Sequence, residues 1–88
     1  MHIQKSFNPV DYCFKWTPEG WYEWDEQKAR KEAQKARNEH AKELKRLGYS
    51  VSKWTLKDQL IRRGGIGSGH PDVEFWVNCY FVEAFKED

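Results

Sequence analysis

The chain has no apolar run longer than a few residues, Phe75-Trp76-Val77 being typical, and its first residues lack the apolar core of a signal peptide. Nothing in it therefore reads as a segment that spans or crosses a membrane. Charge of one sign is also missing. Fifteen basic side chains stand against 14 acidic ones, for a net charge of +1, so any basic surface must be local rather than a field spread over the whole molecule. Cysteine is scarce, and Cys13 and Cys79 form no CxxC pattern. They read as two buried free thiols in a reducing compartment such as the cytoplasm. Neither a repeat, nor a low-complexity tract, nor a linker divides the 88 residues, which suffice for one domain with one modest core.

What the chain does have is aromatic rings: five Trp, four Tyr and five Phe, 16% of all residues. Disordered chains are poor in such residues, and in a small domain a few large rings must supply most of the buried apolar area.

Residues 1–9 end in Asn8-Pro9 and read as a lead-in whose Phe7 tucks against the core. Over residues 10–16 the alternation of Val10, Tyr12, Phe14 and Trp16 with polar neighbours has the period of a half-buried strand. Thr17-Pro18-Glu19-Gly20 supplies a turn, and residues 21–24 return as a short second strand. Asp25 is placed to cap a helix over 26–47 that lacks Gly, Pro and β-branched residues and ends at Gly48. Ala29, Ala33, Ala36, His40, Leu44 and Leu47 form its narrow inner stripe, whose small side chains call for large rings on the facing sheet. Residues 49–54 read as a third strand. Thr55-Leu56-Lys57-Asp58 then resembles a capping box that opens a short helix carrying Leu56, Leu60 and Ile61. A glycine-rich loop over 64–71 leads into the longest strand, over 73–85, in which Val73, Phe75, Val77, Cys79 and Phe81 alternate with Glu74, Trp76, Asn78, Tyr80 and Val82. The expected fold is a single small α+β domain: an antiparallel sheet of about four strands in the order β-β-α-β-β, one long helix packed on one face, and a short helix before the last strand.

Arg62-Arg63-Gly64-Gly65-Ile66-Gly67-Ser68-Gly69-His70 is the most site-like stretch, because glycines let backbone amides approach an anion while Arg62, Arg63, Ser68 and His70 add charge and donors. Its order matches neither a P-loop nor a dinucleotide loop, so no cofactor follows from it. A plain connection whose glycines permit positive φ explains it as well. The helix carries Lys28, Arg30, Lys31, Lys35, Arg37, Lys42, Lys45 and Arg46, followed by Lys53, Lys57, Arg62 and Arg63. This is either a local nucleic-acid surface or a solvated face laced with i, i+4 pairs. His2, His40, His70 and the two cysteines show no metal-ligand spacing, and no nucleophile has a neighbouring signature, so the chain reads as non-catalytic. Trp76 and Tyr80 alternate with Phe75 and Phe81, which are expected in the helix-facing core. Trp76 and Tyr80 are expected to face outward as a partner surface or, together with the edge of so long a strand, as a homodimer seam.

The stretch Trp54-Thr55-Leu56 to Gln59-Leu60-Ile61, followed by Gly64-Gly65-Ile66-Gly67-Ser68-Gly69-His70-Pro71-Asp72, resembles the short orphan proteins encoded by tailed bacteriophages. It covers about a quarter of the chain and matches no specific family. The resemblance implies stoichiometric binding to a protein of the host or of its defence system, in the manner of anti-CRISPR proteins, whose family motifs are not matched. Binding of nucleic acid or a nucleotide through the basic segment and the glycine-rich loop is the alternative function.

Overall fold

The computed structural model describes residues 1–87, which form an α+β fold of one α-helix and five strands in antiparallel sheets. The helix, α1 (Glu26–Arg46), forms where composition and caps require it. The Asp25 carboxylate accepts from the Lys28 amide at 3.1 Å, satisfying one of the free donors of the first turn. At the other end Gly48 takes φ +93, so that its amide reaches the Lys45 carbonyl and that of Tyr49 the Leu44 carbonyl, a Schellman closure. No helix among the described residues is long and apolar enough to cross a membrane.

The strands are β1 (His2–Phe7), β2 (Phe14–Trp16), β3 (Tyr22–Trp24), β4 (Ser50–Gly65) and β5 (His70–Phe85). β4 and β5 form one antiparallel hairpin of 16 residues a side. β1 pairs with β5 only over residues 80–85, giving the order β1-β5-β4, while β2 and β3 make a separate small hairpin. Sixteen extended residues span about 53 Å. The hairpin thus sets the long axis of a molecule measuring 50 × 24 × 22 Å, and the radius of gyration is 15.6 Å. A rounded domain of this length would have about 12 Å. From residue 79 towards the tip, the hairpin is an arm with no third strand beside it among the described residues.

Several expectations are corrected. The lead-in is a paired strand, β1. The strand expected over 10–16 is split, because Asn8 caps a 3-10 turn at Pro9–Asp11 and Cys13 takes φ +59, leaving only Phe14–Trp16 extended. Cys13 is exposed, not buried. The short helix does not form: residues 55–61 continue β4. Its capping-box residues fall at a β-bulge, where Leu56 pairs with Cys79 and Gln59 with Val77, so three steps on β4 match two on β5. Asp58 at φ +55 absorbs the extra residue, and its amide donates to Asn78 Oδ1 at 3.2 Å.

The core is divided between the two faces of the hairpin. On the helix face, α1 brings Ala33, Ala41 and Leu44 against Tyr80, Val82 and Ala84 of β5 and Phe7 of β1. On the opposite face, the β2–β3 hairpin and the 3-10 turn cover the arm, packing Val10 with Phe75, Val77 and Cys79. Phe75 meets Phe14, Tyr22 and Trp24 edge-on, with centroids 5.7, 5.3 and 5.0 Å away. Trp24 is anchored by its indole N-H, which lies 3.2 Å from both the Pro9 and the Tyr12 carbonyl oxygens. Phe75 and Phe81 are therefore not the helix-facing residues. They share a face as the alternation requires, but it is the other face.

Candidate binding surface

From residue 79 towards the tip the helix face of the arm lies open among the described residues, and its residues follow from the register. Trp76 lies opposite Leu60 and Glu74 opposite Arg62. Leu60 is there because of the bulge. Without the extra residue the alternation would point Leu60 to the β2–β3 side and turn Ile61 outward, whereas Ile61 is the one that packs with Phe75 and Val77. Trp76 is 66% exposed and Leu60 37%, side by side on a paired strand. Arg62 pairs with Glu74 at 3.1 Å on the same face, and Asn78, on the bulge amide, marks where the open stretch gives way to the helix.

Tyr80, expected outward beside Trp76, is 4% exposed. The two do share a face, but α1 covers that face at Tyr80 and ends before Trp76. The Arg37 guanidinium sits 5.5 Å from the Tyr80 ring centroid, and Arg30 lies near enough to the phenol for its own pKa to be raised by it.

The glycine-rich loop is the tip of the hairpin rather than a passage from a helix to a strand. Ser68 Oγ lies 2.7 Å from the Gly65 carbonyl oxygen, to which it donates, and 3.1 Å from the His70 amide, from which it accepts, so the hydroxyl holds the tip together. His70 stacks flat on Trp16 with centroids 4.2 Å apart, fastening the base of the loop to the β2–β3 hairpin. Gly64 is obligatory in this arrangement: at φ +84, an added Cβ would sit 2.0 Å from the Pro71 carbonyl oxygen. Gly65 also has positive φ, +95, and Ile66 at the apex is fully exposed. Arg63 reaches across the other face to Asp11 at 2.6 Å. Both arginines next to the loop thus already face a carboxylate. Of the residues singled out from the sequence, Trp76 and Arg62 share the open face. Gly65, Ser68 and His70 lie at or beside the tip, Arg63 faces the β2–β3 side and Tyr80 is under the helix. Leu60 and Ile66 were not singled out, since the bulge that exposes the first and the turn that exposes the second leave no period in the sequence.

Among the described residues no group of three or more His, Cys, Asp or Glu is placed to hold a metal ion. The Cys79 thiol, buried against the β2–β3 side, has its pKa raised by that burial and further by Asp11, which disfavours the nucleophilic thiolate. What the surface offers is contact: a two-stranded platform with an aromatic ring, a leucine and an ion pair. No protein-family model, curated protein or solved structure matches the chain.

Proposed function

We propose that this is a non-catalytic binding protein that docks stoichiometrically on a protein partner through the open face of its arm. The partner class that the phage-type resemblance implies is a host or defence-system protein in the bacterial cytoplasm. One observation carries the reading: Trp76, 66% exposed beside its cross-strand neighbour Leu60. Leaving a large ring in water forgoes about 2 kcal/mol of burial. A Trp held at low entropic cost is the residue type that most often dominates a protein interface. The Arg62–Glu74 pair beside it supplies the polar rim such interfaces have.

Nucleotide binding at the tip is the second reading. The amides of the glycine-rich turn favour it, but a phosphate there has to compete with Glu74 and Asp11 for the two arginines.

The test is affinity capture from nuclease-treated bacterial lysate, with the wild type and a Trp76→Ala, Leu60→Ala double variant as baits. The expected result is a discrete protein retained in stoichiometric amount by the wild type and lost with the variant, whose circular dichroism is unchanged. The two substitutions should weaken binding by about 2 kcal/mol or more. Identical captured sets would refute the reading, and sedimentation of the wild type alone would show a second copy to be the occupant instead.

A further inference from the structure

The charges of α1 are sorted by flank. Positions 30, 34, 37, 38, 41 and 45 recur at helical spacing on the side turned to β4, a side fixed by Arg37, which donates to the Trp54 carbonyl at 3.4 Å. That flank reads Arg30, Gln34, Arg37, Asn38, Ala41, Lys45 and contains no carboxylate. The opposite flank, 32, 36, 39 and 43, carries three: Glu43 is paired with Arg46, and Glu32 lies near enough to Tyr12 to add to the effects of burial and of Asp11 in raising that phenol's pKa. Lys31, Lys35 and Lys42 run along the crest between the flanks. On the β4 side of the groove Lys53 also lies on the helix face, opposite Val82. Lys31, Lys35, Lys42, Lys45 and Lys53 make no ion pair among the described residues. Glu26, one turn before Arg30, approaches the row, and Glu39 lies where the opposite flank borders the crest.

We infer that this row, Arg30, Lys31, Lys45 and Lys53 with the Gln34 and Asn38 amides between them, is a track for the phosphate backbone of a single-stranded nucleic acid. From residue 30 to residue 45 it runs about 22 Å. It offers cations with amide donors between them and no large apolar side chain among them on the helix, which suits a chain of phosphates better than the surface of a folded protein. A duplex laid along the helix would bring its second backbone over Glu32, Glu39 and Glu43, so a single strand is the form that fits. The track is separate from Trp76 and Leu60, and either surface can fail without the other.

Fluorescence anisotropy with labelled oligothymidine and oligouridine of about twelve nucleotides, and with a duplex of similar length, tests this across a series of salt concentrations. The expected result is binding of the single strands with a log-log salt slope of about −2 to −3, from three to four phosphates. Lys31→Glu, Lys45→Glu and Lys53→Glu together should lower that affinity at least about tenfold. Lys15→Glu, at a residue already paired with Glu23 at 3.1 Å, should leave it within about twofold, as should Trp76→Ala with Leu60→Ala. Should the triple Glu variant lose its helical circular dichroism, the corresponding triple Gln variant carries the same expectation of weakened binding. Absence of salt-dependent binding at low salt, a duplex bound as tightly as the single strand, or a folded triple variant that binds like the wild type would each overturn the inference.

Discussion

The two ends of the β4–β5 hairpin are made of the same pair of strands, yet they are covered on opposite faces. Near the chain ends, α1 lies over Tyr80, Val82 and Ala84; in the arm, the β2–β3 hairpin lies over Phe75, Val77 and Cys79. Consecutive residues, Cys79 and Tyr80, are both buried although they point in opposite directions. A small chain thereby stabilises a strand too long for any one of its covering elements, and the consequence is an uncovered half on each face. At the chain-end half the open face carries Ser50, Ser52 and Glu83 along with the flat Trp54–Phe81 stack, centroids 4.1 Å apart. In the arm it carries Trp76 and Leu60. The ring at the first site already has a partner in its own chain, and the one in the arm stands open to another molecule.

If the arm has a core of its own, removing its centre should cost most. Phe75→Ala takes away a ring in contact with three others and is expected to destabilise by about 3 to 5 kcal/mol in urea denaturation. A loss below about 1 kcal/mol would mean that the β2–β3 hairpin does not hold the arm. Next come Ala33→Leu at the helix end and Gly64→Ala at the tip, each expected at about 1 to 3 kcal/mol. The first overfills a fully buried helix contact, and the second drives a Cβ into the Pro71 carbonyl. In both cases the fall in thermal midpoint is the readout. Lys35→Ala, on the exposed crest, should remain within about 0.5 kcal/mol of the wild type. The smallest perturbation needs no substitution. A thiol reagent should label Cys13 rapidly in the native protein and Cys79 only after denaturation, because burial both shields that thiol and raises its pKa. Equal labelling rates would place Cys79 on an open face.

Much of this was legible in the sequence where one local rule acts alone. The helix follows from Asp25, its Ala-rich interior and Gly48, and the Thr17–Gly20 turn from Pro18 and Gly20, which takes φ +87. The alternation in β5 correctly separates Phe75 from Trp76. It does not tell which face is covered, because period two assigns residues to two sides and says nothing of what packs on either. That is why Tyr80 was expected beside Trp76 in solvent and lies under α1 instead. At Thr55-Leu56-Lys57-Asp58 the residue types that cap a helix also suit a bulge, since Asp tolerates positive φ. There the cross-strand pairing with β5 outweighs the local signal. For the same reason β1 was hidden: His2 to Phe7 alternates weakly, and only its pairing with residues 80–85 makes it a strand.

Tyr80→Ala and Trp76→Ala, four residues apart on one face of one strand, compared by equilibrium urea denaturation, test the switch of covered face most directly. The helix-covered Tyr80 should cost about 3 kcal/mol or more when truncated, and the open Trp76 less than about 0.5 kcal/mol. Equal losses at the two positions, or a larger loss at Trp76, would mean that the arm is covered where it is described as open and that its outward ring is core.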